Sequence, residues 1–338
     1  MIDLLNLITQ GTGAPSLAEL QQLADLSGIP VDDLGWLSQV WREDTGKKIL
    51  SIARNKQSIA IRSLAGSLAD YKRATRRWWL RVEKRLPEIS FAERPAYFVS
   101  SNIHSMANLL SGYALTIEEK LQKYIDEDQS PELRREYHNI LESNVPSNLE
   151  NYLYYVLKKY QADYPEDRDG QISHEESLGV ARIPSAHAFD IEVQVFSLRR
   201  LQPDKFDPRV RCPGDHRLAD SEALIINIDY PLGMAAYQVL TELARNVANV
   251  RGVYVMGKAA TLNGRIGDVM IPNVVHDEHS LNTYLFRNDI NADDVAPFLE
   301  YGTVMDNQKA ITVPGTYLQN EGYMSVFYQE GYTDMEME

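Results

Sequence analysis

The sequence has almost no cysteine and no long apolar run. Cys212 is the one cysteine among 338 residues, which excludes an internal disulfide framework and favours a reducing, cytoplasmic environment. No stretch approaches the roughly eighteen consecutive apolar residues of a membrane span. The N-terminal residues Met1–Leu5 include no basic residue ahead of the apolar ones, unlike a signal peptide. These absences predict a soluble protein with no membrane partner.

Positive charge is also scarce, but it is concentrated in one segment. The net charge of −14 argues against nucleic-acid binding by the surface as a whole. Between Arg42 and Arg85, however, thirteen basic residues accompany only four acidic ones. The part from Lys72 to Arg85 also contains Trp78 and Trp79. One interpretation is an anionic partner held by phosphate contacts and base stacking. The other is an amphipathic helix that turns Trp78 or Trp79 inward and pairs its arginines with acidic residues elsewhere.

Residues 1–165 are predicted to form a helical domain. Ser16 and Glu19 form a capping box ahead of an apolar run with helical spacing. Further helices are predicted at about 44–86, 97–126, 131–143 and 147–160, and residues 17–36 have the spacing of a helix-turn-helix.

The composition changes at Asp163–Gly170, a polar stretch that we interpret as a linker. Residues 175–338 are predicted to form an α/β domain. Strands are expected at 191–196, 223–228 and 252–256, with a helix at 233–248. A strand, a helix and a strand in this order predict a mixed, partly parallel sheet.

Two of the predicted strand ends carry residues suited to a ligand. Asp229 to Met234 lead from one strand directly into a helix, and Gly257 to Ala260 follow the next strand. Ligands of open α/β sheets bind beyond the carboxyl ends of the strands. Gly233 would allow a close approach of the backbone, and the helix N-terminus offers free N–H groups to an anion.

Three motifs near the C-terminus resemble those of the nucleoside phosphorylase and nucleosidase superfamily. Residues 257–272 resemble its "G-x-A-G-x-L … G-D-V-V-I-P" stretch, in which a glycine-rich turn lies beside the base and the ribose. Residues 231–237 are similar to its strand–glycine loop–helix unit. Residues 334–338, Asp-Met-Glu-Met-Glu, resemble its "E-M-E-A" motif, whose methionine and second acid hold the ribose. The resemblance extends from about residue 221 to residue 338.

The resemblance implies a phosphorylase-like α/β domain behind the helical domain. It implies binding of a nucleoside or base, cleavage of an N-glycosidic bond by phosphate or water, and self-association into a homo-oligomer. Phosphate is a possible co-substrate; no other cofactor and no metal are expected. The substrate-binding residues it indicates are Asp229, Gly233, Met234, Gly257, Lys258, Ala259, Met337 and Glu338. A second register of the last motif would use Met335 and Glu336 instead.

The sequence departs from the superfamily pattern in ways that affect function. Ala259 and Ala260 stand where a second glycine is common, and Lys258 is either a phosphate contact or a solvated side chain. The superfamily's general acid lies further along the chain than Glu338. We therefore expect the domain to be incomplete, either as a fragment or without that acid, and no catalytic residue is assigned. The alternative function is a non-enzymatic protein with a degenerate phosphorylase-like scaffold, whose basic helical domain binds nucleic acid or another acidic partner.

Two further polar clusters have ordinary interpretations. His276-Asp277-Glu278-His279 is expected to be a polar strand end rather than a metal site, because no further ligand is evident. Residues 306–309 are predicted to form a turn into a strand at 310–313.

Overall fold

The computed structural model describes residues 15–55, 68–127, 131–143, 148–185, 191–231, 233–299, 301–313 and 321–336. Residues 1–63 and 64–338 form two compact units. This division differs from the predicted one, which lies between residues 165 and 175.

In the part of the first unit that the structure describes, three helices pack around a small apolar cluster. They are α1 (Leu17–Ser27), α2 (Val31–Trp41) and α3 (Thr45–Arg54). The predicted capping box is confirmed: Oγ of Ser16 accepts from the backbone N–H of Glu19, and the Glu19 carboxylate accepts from the Ser16 N–H at 2.7 Å. Gly28, with φ 72°, ends α1, as glycine commonly does because it adopts the left-handed region without strain. Leu20, Leu23, Leu34 and Leu50 form the cluster.

The second unit combines helices with two five-stranded sheets. Its elements in chain order are α4 (Leu68–Arg85), β1 (Pro95–Ser101), α5 (Ser105–Ser111), α6 (Tyr113–Thr116), α7 (Glu118–Glu127), α8 (Pro131–Ser143), α9 (Asn148–Asp163), α10 (Arg168–Ser177), β2 (Val180–Ile183), β3 (Val193–Ser197), β4 (Leu224–Asp229), α11 (Met234–Asn246), β5 (Asn249–Val255), β6 (Ala260–Thr261), β7 (Val269–Asp277), β8 (Asn282–Leu285), α12 (Ala292–Val295), β9 (Val304–Thr312), α13 (Glu321–Gln329) and β10 (Asp334–Glu336). The chain thus joins a helical part to mixed, partly parallel sheets, which is the predicted fold class.

The first sheet has the strand order β2-β3-β4-β1-β5. The predicted unit of β4, α11 and β5 is confirmed, but β1 lies between its two strands and is parallel to both. The prediction of a helix beginning near Tyr97 is therefore wrong, because residues 95–101 form a central strand. A short apolar run such as Tyr97-Phe98-Val99 is ambiguous by periodicity alone, and its strand pairing is with residues far along the chain.

Both faces of this sheet are covered. On one face α4 and α11 pack against the strands through a large cluster that includes Trp79, Val82, Phe98, Ile226 and Leu243. On the other face Ala107 of α5 packs with Val180, Phe196 and two buried loop residues, Leu201 and Phe206. Helices α7 to α9 have a separate cluster around Leu121, Ile125 and Leu153. A strand buried on both faces is expected to be continuously apolar, as β4 is over most of its length.

The second sheet has the order β6-β10-β9-β7-β8. Strand β7 begins at Val269, where the Gly-Asp-Val motif predicts a strand. The predicted turn at residues 306–309 is wrong, since β9 runs through it. Asn307 has φ 55° and the register of β7 and β9 shifts beside it, between Ile271 and Pro272. The polar run is therefore a bulge inside a strand, a feature that the local sequence does not distinguish from a turn.

No helix in the described part of the chain combines the length and the apolar character that crossing a membrane requires.

Candidate functional site

The candidate site lies at the carboxyl edge of the first sheet. Strands β4, β1 and β5 are adjacent and parallel, so their carboxyl ends meet there. Ser101 at the end of β1 lies in register with Asp229 at the end of β4. The N–H of Met256, just after β5, donates to the carbonyl of Ser100. The structure therefore brings the segments that contain Asp229 and Lys258 to one edge, the usual position of ligands in such sheets.

The connection from β4 to α11 keeps its polar groups accessible. Asp229 is partly exposed, and its side chain accepts from the N–H of Tyr230 at 3.0 Å. Gly233 is exposed and has φ 45°, a conformation that favours glycine, and α11 begins at Met234. Gly233, the N-cap residue of α11, has no side chain that could bond to the first N–H groups of the helix. Asp229 and Gly233 thus lie at this edge, and the role of Asp229, Gly233 and Met234 in binding stays a prediction.

The loop after β1 adds a histidine that the sequence interpretation missed. Oδ1 of Asn102 accepts from the N–H of His104 at 3.0 Å and from the N–H of Ser105 at 2.6 Å. These two bonds fix the loop at the start of α5, which places the exposed His104 ring at the same edge as Asp229. The signal that could have found it is the polar run from Ser100 to Ser105 directly after an apolar segment.

Charged groups from four elements surround His104. His104 is exposed by surface area, but the atoms packed around its ring still desolvate it in part, and this is the largest cause that lowers its pKa below 6.5. Lys158 of α9 lowers the pKa next, and Asp229 opposes that effect by stabilising the cation. Arg182 and Lys258 lower it further. These causes together favour the neutral form of His104 at neutral pH.

A buried network of amides and hydroxyls lies beneath the His104 loop. The Ser101 hydroxyl donates to Oδ1 of Asn227 at 3.0 Å. Nδ2 of Asn227 donates to Oε1 of Gln194 and to the carbonyl of Asn102, both at 3.0 Å. Gln194 in turn donates to the carbonyl of Ile103. Asn227 and Gln194 are fully buried, so these bonds satisfy polar groups that would otherwise destabilise the fold.

An ion pair continues this network behind the loop. Arg182 donates to the fully buried carboxylate of Glu175, with one bond of 3.0 Å. It also pairs with Glu192 at 3.2 Å and donates to the Ile103 carbonyl at 3.3 Å. Burial lowers the pKa of Arg182, but the two carboxylates outweigh burial and raise it overall. Since Arg182 and Gln194 both bind the Ile103 carbonyl, the network fixes the backbone that carries His104.

The remaining predicted residues are only partly brought to this edge. Gly257, Lys258 and Ala259 are exposed and lead from β5 to β6, which pairs with β10. Met337 and Glu338 lie outside the described residues. The alternative register with Met335 on the ribose is wrong, because that side chain is 1% exposed and packs in the apolar cluster of the second sheet.

The other polar clusters have structural roles. His276 bonds to the Thr283 hydroxyl at 2.9 Å across the β7–β8 hairpin, and Asp277 holds the turn between these strands. Across the described ranges, no three His, Cys, Asp or Glu side chains are grouped so that they could hold a metal ion. A hydrogen bond with Asp215 raises the pKa of the Cys212 thiol, so the thiol is a poor nucleophile.

A shallow depression lies at the opposite, amino-terminal edge of the sheet. It is lined by Glu83, Leu86, Pro87, Ile89, Ser90, Phe91, Ala92, Glu93, Arg245 and Asn246. None of the predicted site residues lines it, and the carboxyl edge remains the better candidate.

Comparison with solved structures gives one match of low similarity. It is a protein from Weissella paramesenteroides ATCC 33313, provisionally described as a methylthioadenosine nucleosidase. The match has 10% sequence identity, covers 51% of this chain and 70% of that chain, and has a TM-score of 0.32. A score this low does not establish a shared fold. No curated protein matches the sequence. A family model matches residues 2–338, and the chain accordingly belongs to the family of unknown function DUF6909.

Proposed function

We propose that the protein binds a nucleoside or a nucleotide at the carboxyl edge of β4, β1 and β5. The observation that carries the proposal is the grouping of His104, Asp229 and Lys258. These residues come from three separate strand ends, and both charged groups shift the pKa of His104. A neutral imidazole, a carboxylate and an ammonium group together match the hydrogen-bonding groups of a base, a ribose and a phosphate.

The motif resemblance supports a nucleoside over other small polar ligands. The stretches around Gly233 and Gly257 are the ones that resemble the ligand-binding segments of the nucleoside phosphorylase and nucleosidase superfamily. Lys158 acts on the same histidine as a further cation, which favours a ligand that carries phosphate or is used together with phosphate.

The bond that such a site would cleave is the N-glycosidic bond, by water or by phosphate. That cleavage develops positive charge on the ribose and needs a proton for the departing base. The Asp229 carboxylate has the charge to stabilise the ribose cation. The neutral His104 imidazole beside it can take a proton from the attacking water and then pass that proton to the departing base.

Binding is tested by the melting temperature of the protein with adenosine, AMP, ribose 5-phosphate or inorganic phosphate. A ligand at a hundredfold excess over its Kd stabilises the native state by about 2.7 kcal/mol, or roughly 5 °C or more. Lys258→Ala should reduce the shift caused by AMP. The matched control is Lys205→Ala, which removes an exposed lysine paired with Asp204 on the surface.

The proposal is supported if AMP raises Tm in the protein and in Lys205→Ala but much less in Lys258→Ala. It is contradicted if none of the four ligands changes Tm, or if both variants respond alike. Release of free base from a bound nucleoside, with ribose or ribose 1-phosphate as co-product, would then identify the reaction.

A further inference from the structure

Helix α4 has one apolar face and one basic face. Its apolar face is buried against the first sheet and includes Trp78, Trp79 and Val82. The basic face consists of exposed cationic side chains: Lys72, Arg73, Arg76, Arg77 and Lys84. At a rise of 1.5 Å per residue, Lys72 and Lys84 are about 18 Å apart along the helix. Four of these side chains lie within residues 72–77, and Lys84 lies further along the helix, beyond the exposed Leu80.

Most of this positive charge has no ion-pair partner among the residues that the structure describes. Arg73 pairs with Asp70, and Arg85, beside the basic face, pairs with Glu176 at 2.7 Å. Across the described ranges, Lys72, Arg76, Arg77 and Lys84 form no ion pair with another side chain. The expectation that the arginines pair with acidic residues elsewhere therefore holds for only part of the helix. Four unpaired cations on one face attract an anionic partner even though the net charge is −14.

The burial of both tryptophans restricts the kind of contact. Trp78 is 3% exposed and donates through Nε1 to the carbonyl of Ile191, and Trp79 is 1% exposed. Neither ring can stack on a base, so the base-stacking interpretation of this segment is wrong. What remains on the surface is suited to phosphate groups, which guanidinium and ammonium groups bind without aromatic help.

Two other anionic partners fit less well. A membrane-binding helix inserts its apolar face among the lipids, but the apolar face of α4 is already in the core. A protein interface is centred on buried apolar or aromatic side chains and is poor in lysine. Leu80 is exposed beside the basic face, without an aromatic companion on that face. The row of exposed cations along the helix instead matches a linear polyanion.

We infer that the basic face of α4 binds the phosphate backbone of a nucleic acid without reading its base sequence. Each phosphate contact releases a counterion, so binding weakens as salt rises. For four contacts, affinity should fall roughly a hundredfold between about 50 and about 200 mM salt. Duplexes of unrelated sequence should bind equally well, since contacts with phosphate groups carry no sequence information.

The test measures fluorescence anisotropy of a short labelled DNA duplex at both salt concentrations. The variant Lys72→Gln/Arg76→Gln/Arg77→Gln removes three of the four unpaired cations. The control variant Arg251→Gln/Arg265→Gln/Arg287→Gln removes the same charge from exposed arginines outside α4. All six side chains are exposed, so both variants should keep the native circular dichroism spectrum and Tm.

The inference predicts that the α4 variant loses most of its affinity and that its remaining binding changes only about fourfold over this salt range. The control variant should keep the hundredfold change. No binding by the unaltered protein at low salt would overturn the inference, as would equal loss in both variants. If the α4 variant instead changes only the monomer–oligomer equilibrium in sedimentation, the basic face holds a second copy of this chain and the inference is wrong.

Discussion

The Ser101 hydroxyl donates a 3.0 Å hydrogen bond to Oδ1 of Asn227, across a sequence separation of 126 residues. This bond joins the ends of two neighbouring parallel strands, β1 and β4, beneath the candidate site. It belongs to the same network that holds the loop carrying His104. The candidate site therefore depends on buried polar groups whose partners lie far away in the sequence.

Replacing Asn227 by alanine should destabilise the protein strongly. The change would leave the Ser101 hydroxyl and the Gln194 amide without their buried partner, and an unsatisfied buried polar group costs about 1–3 kcal/mol. We expect the free energy of unfolding in urea to fall by about 2–4 kcal/mol. The exposed Asn263 provides the control, and Asn263→Ala should change the free energy of unfolding by less than about 0.5 kcal/mol. Equal effects of the two changes would show that the network contributes little.

The ion pair of Glu175 with Arg182 should show strong coupling. Glu175→Leu leaves the Arg182 cation with one partner fewer in a largely buried position, and breaking a buried pair typically costs about 3–5 kcal/mol. The double change with Arg182→Met removes the uncompensated charge and should recover part of this loss. A double-mutant cycle of unfolding free energies measures the coupling. If the two single effects simply add, the pair does not act as a unit.

The pKa of His104 should report its charged neighbours. In NMR titrations its imidazole is expected to titrate below 6.5, since partial burial and then Lys158 lower the pKa. Lys258→Ala removes a nearby positive charge and should raise this pKa. Asp229→Asn removes the carboxylate that favours the cation and should lower it. A pKa unchanged in both variants would mean that these groups are not at one site.

Asp334 should make stability fall as pH rises. Burial raises its pKa, and a hydrogen bond from Thr333 opposes this only in part. The folded state therefore holds this proton more tightly than the unfolded state. The stability that Asp334 contributes is fully present below its pKa in the unfolded state, about 3.9. It is lost as the pH rises through its pKa in the folded state. Asp334→Asn should be more stable than the unaltered protein at pH 7 by urea unfolding, with the difference vanishing in acid.

Asp268 should affect the pH dependence of stability in the opposite direction to Asp334. Its carboxylate accepts from the N–H groups of Arg265 and Thr303, which lower its pKa. Its contribution is present above the unfolded pKa and is lost as pH falls through the folded pKa. Asp268→Asn should therefore reduce stability at neutral pH. If Asp334→Asn has the same sign of effect there, the burial of Asp334 does not act as described.

Local patterns in the sequence predicted part of the fold. The strand, helix and strand from β4 to β5 follow from periodicity, because each element is specified by its own residues. The first turn of α1 follows from Ser16 and Glu19 in the same way. The position of β1 between β4 and β5 does not follow from local periodicity, since the partners of a strand are set by long-range packing. The bulge at Asn307 is likewise fixed by its neighbour β7 and not by its own residues.

The sequence predicted only the part of the candidate site that follows β4 and β5. Asp229 and Lys258 were found because both follow predicted buried strands. His104 was missed because its strand was assigned as helix, so the strand end that carries it was not recognised. Arg182 lies in β2 and Gln194 lies in β3, outside the unit of β4, α11 and β5. Only the three-dimensional arrangement brings both side chains to the Ile103 carbonyl.

The most direct test of the proposed site follows the NMR signals of the His104 imidazole while AMP is added. If the ligand binds at the carboxyl edge, these signals should shift to saturation, and Lys258→Ala should weaken the titration while Lys205→Ala should not. The signals are assigned by their loss in His104→Asn. A rise in Tm with AMP while the His104 signals stay unchanged would place the ligand elsewhere and contradict the account.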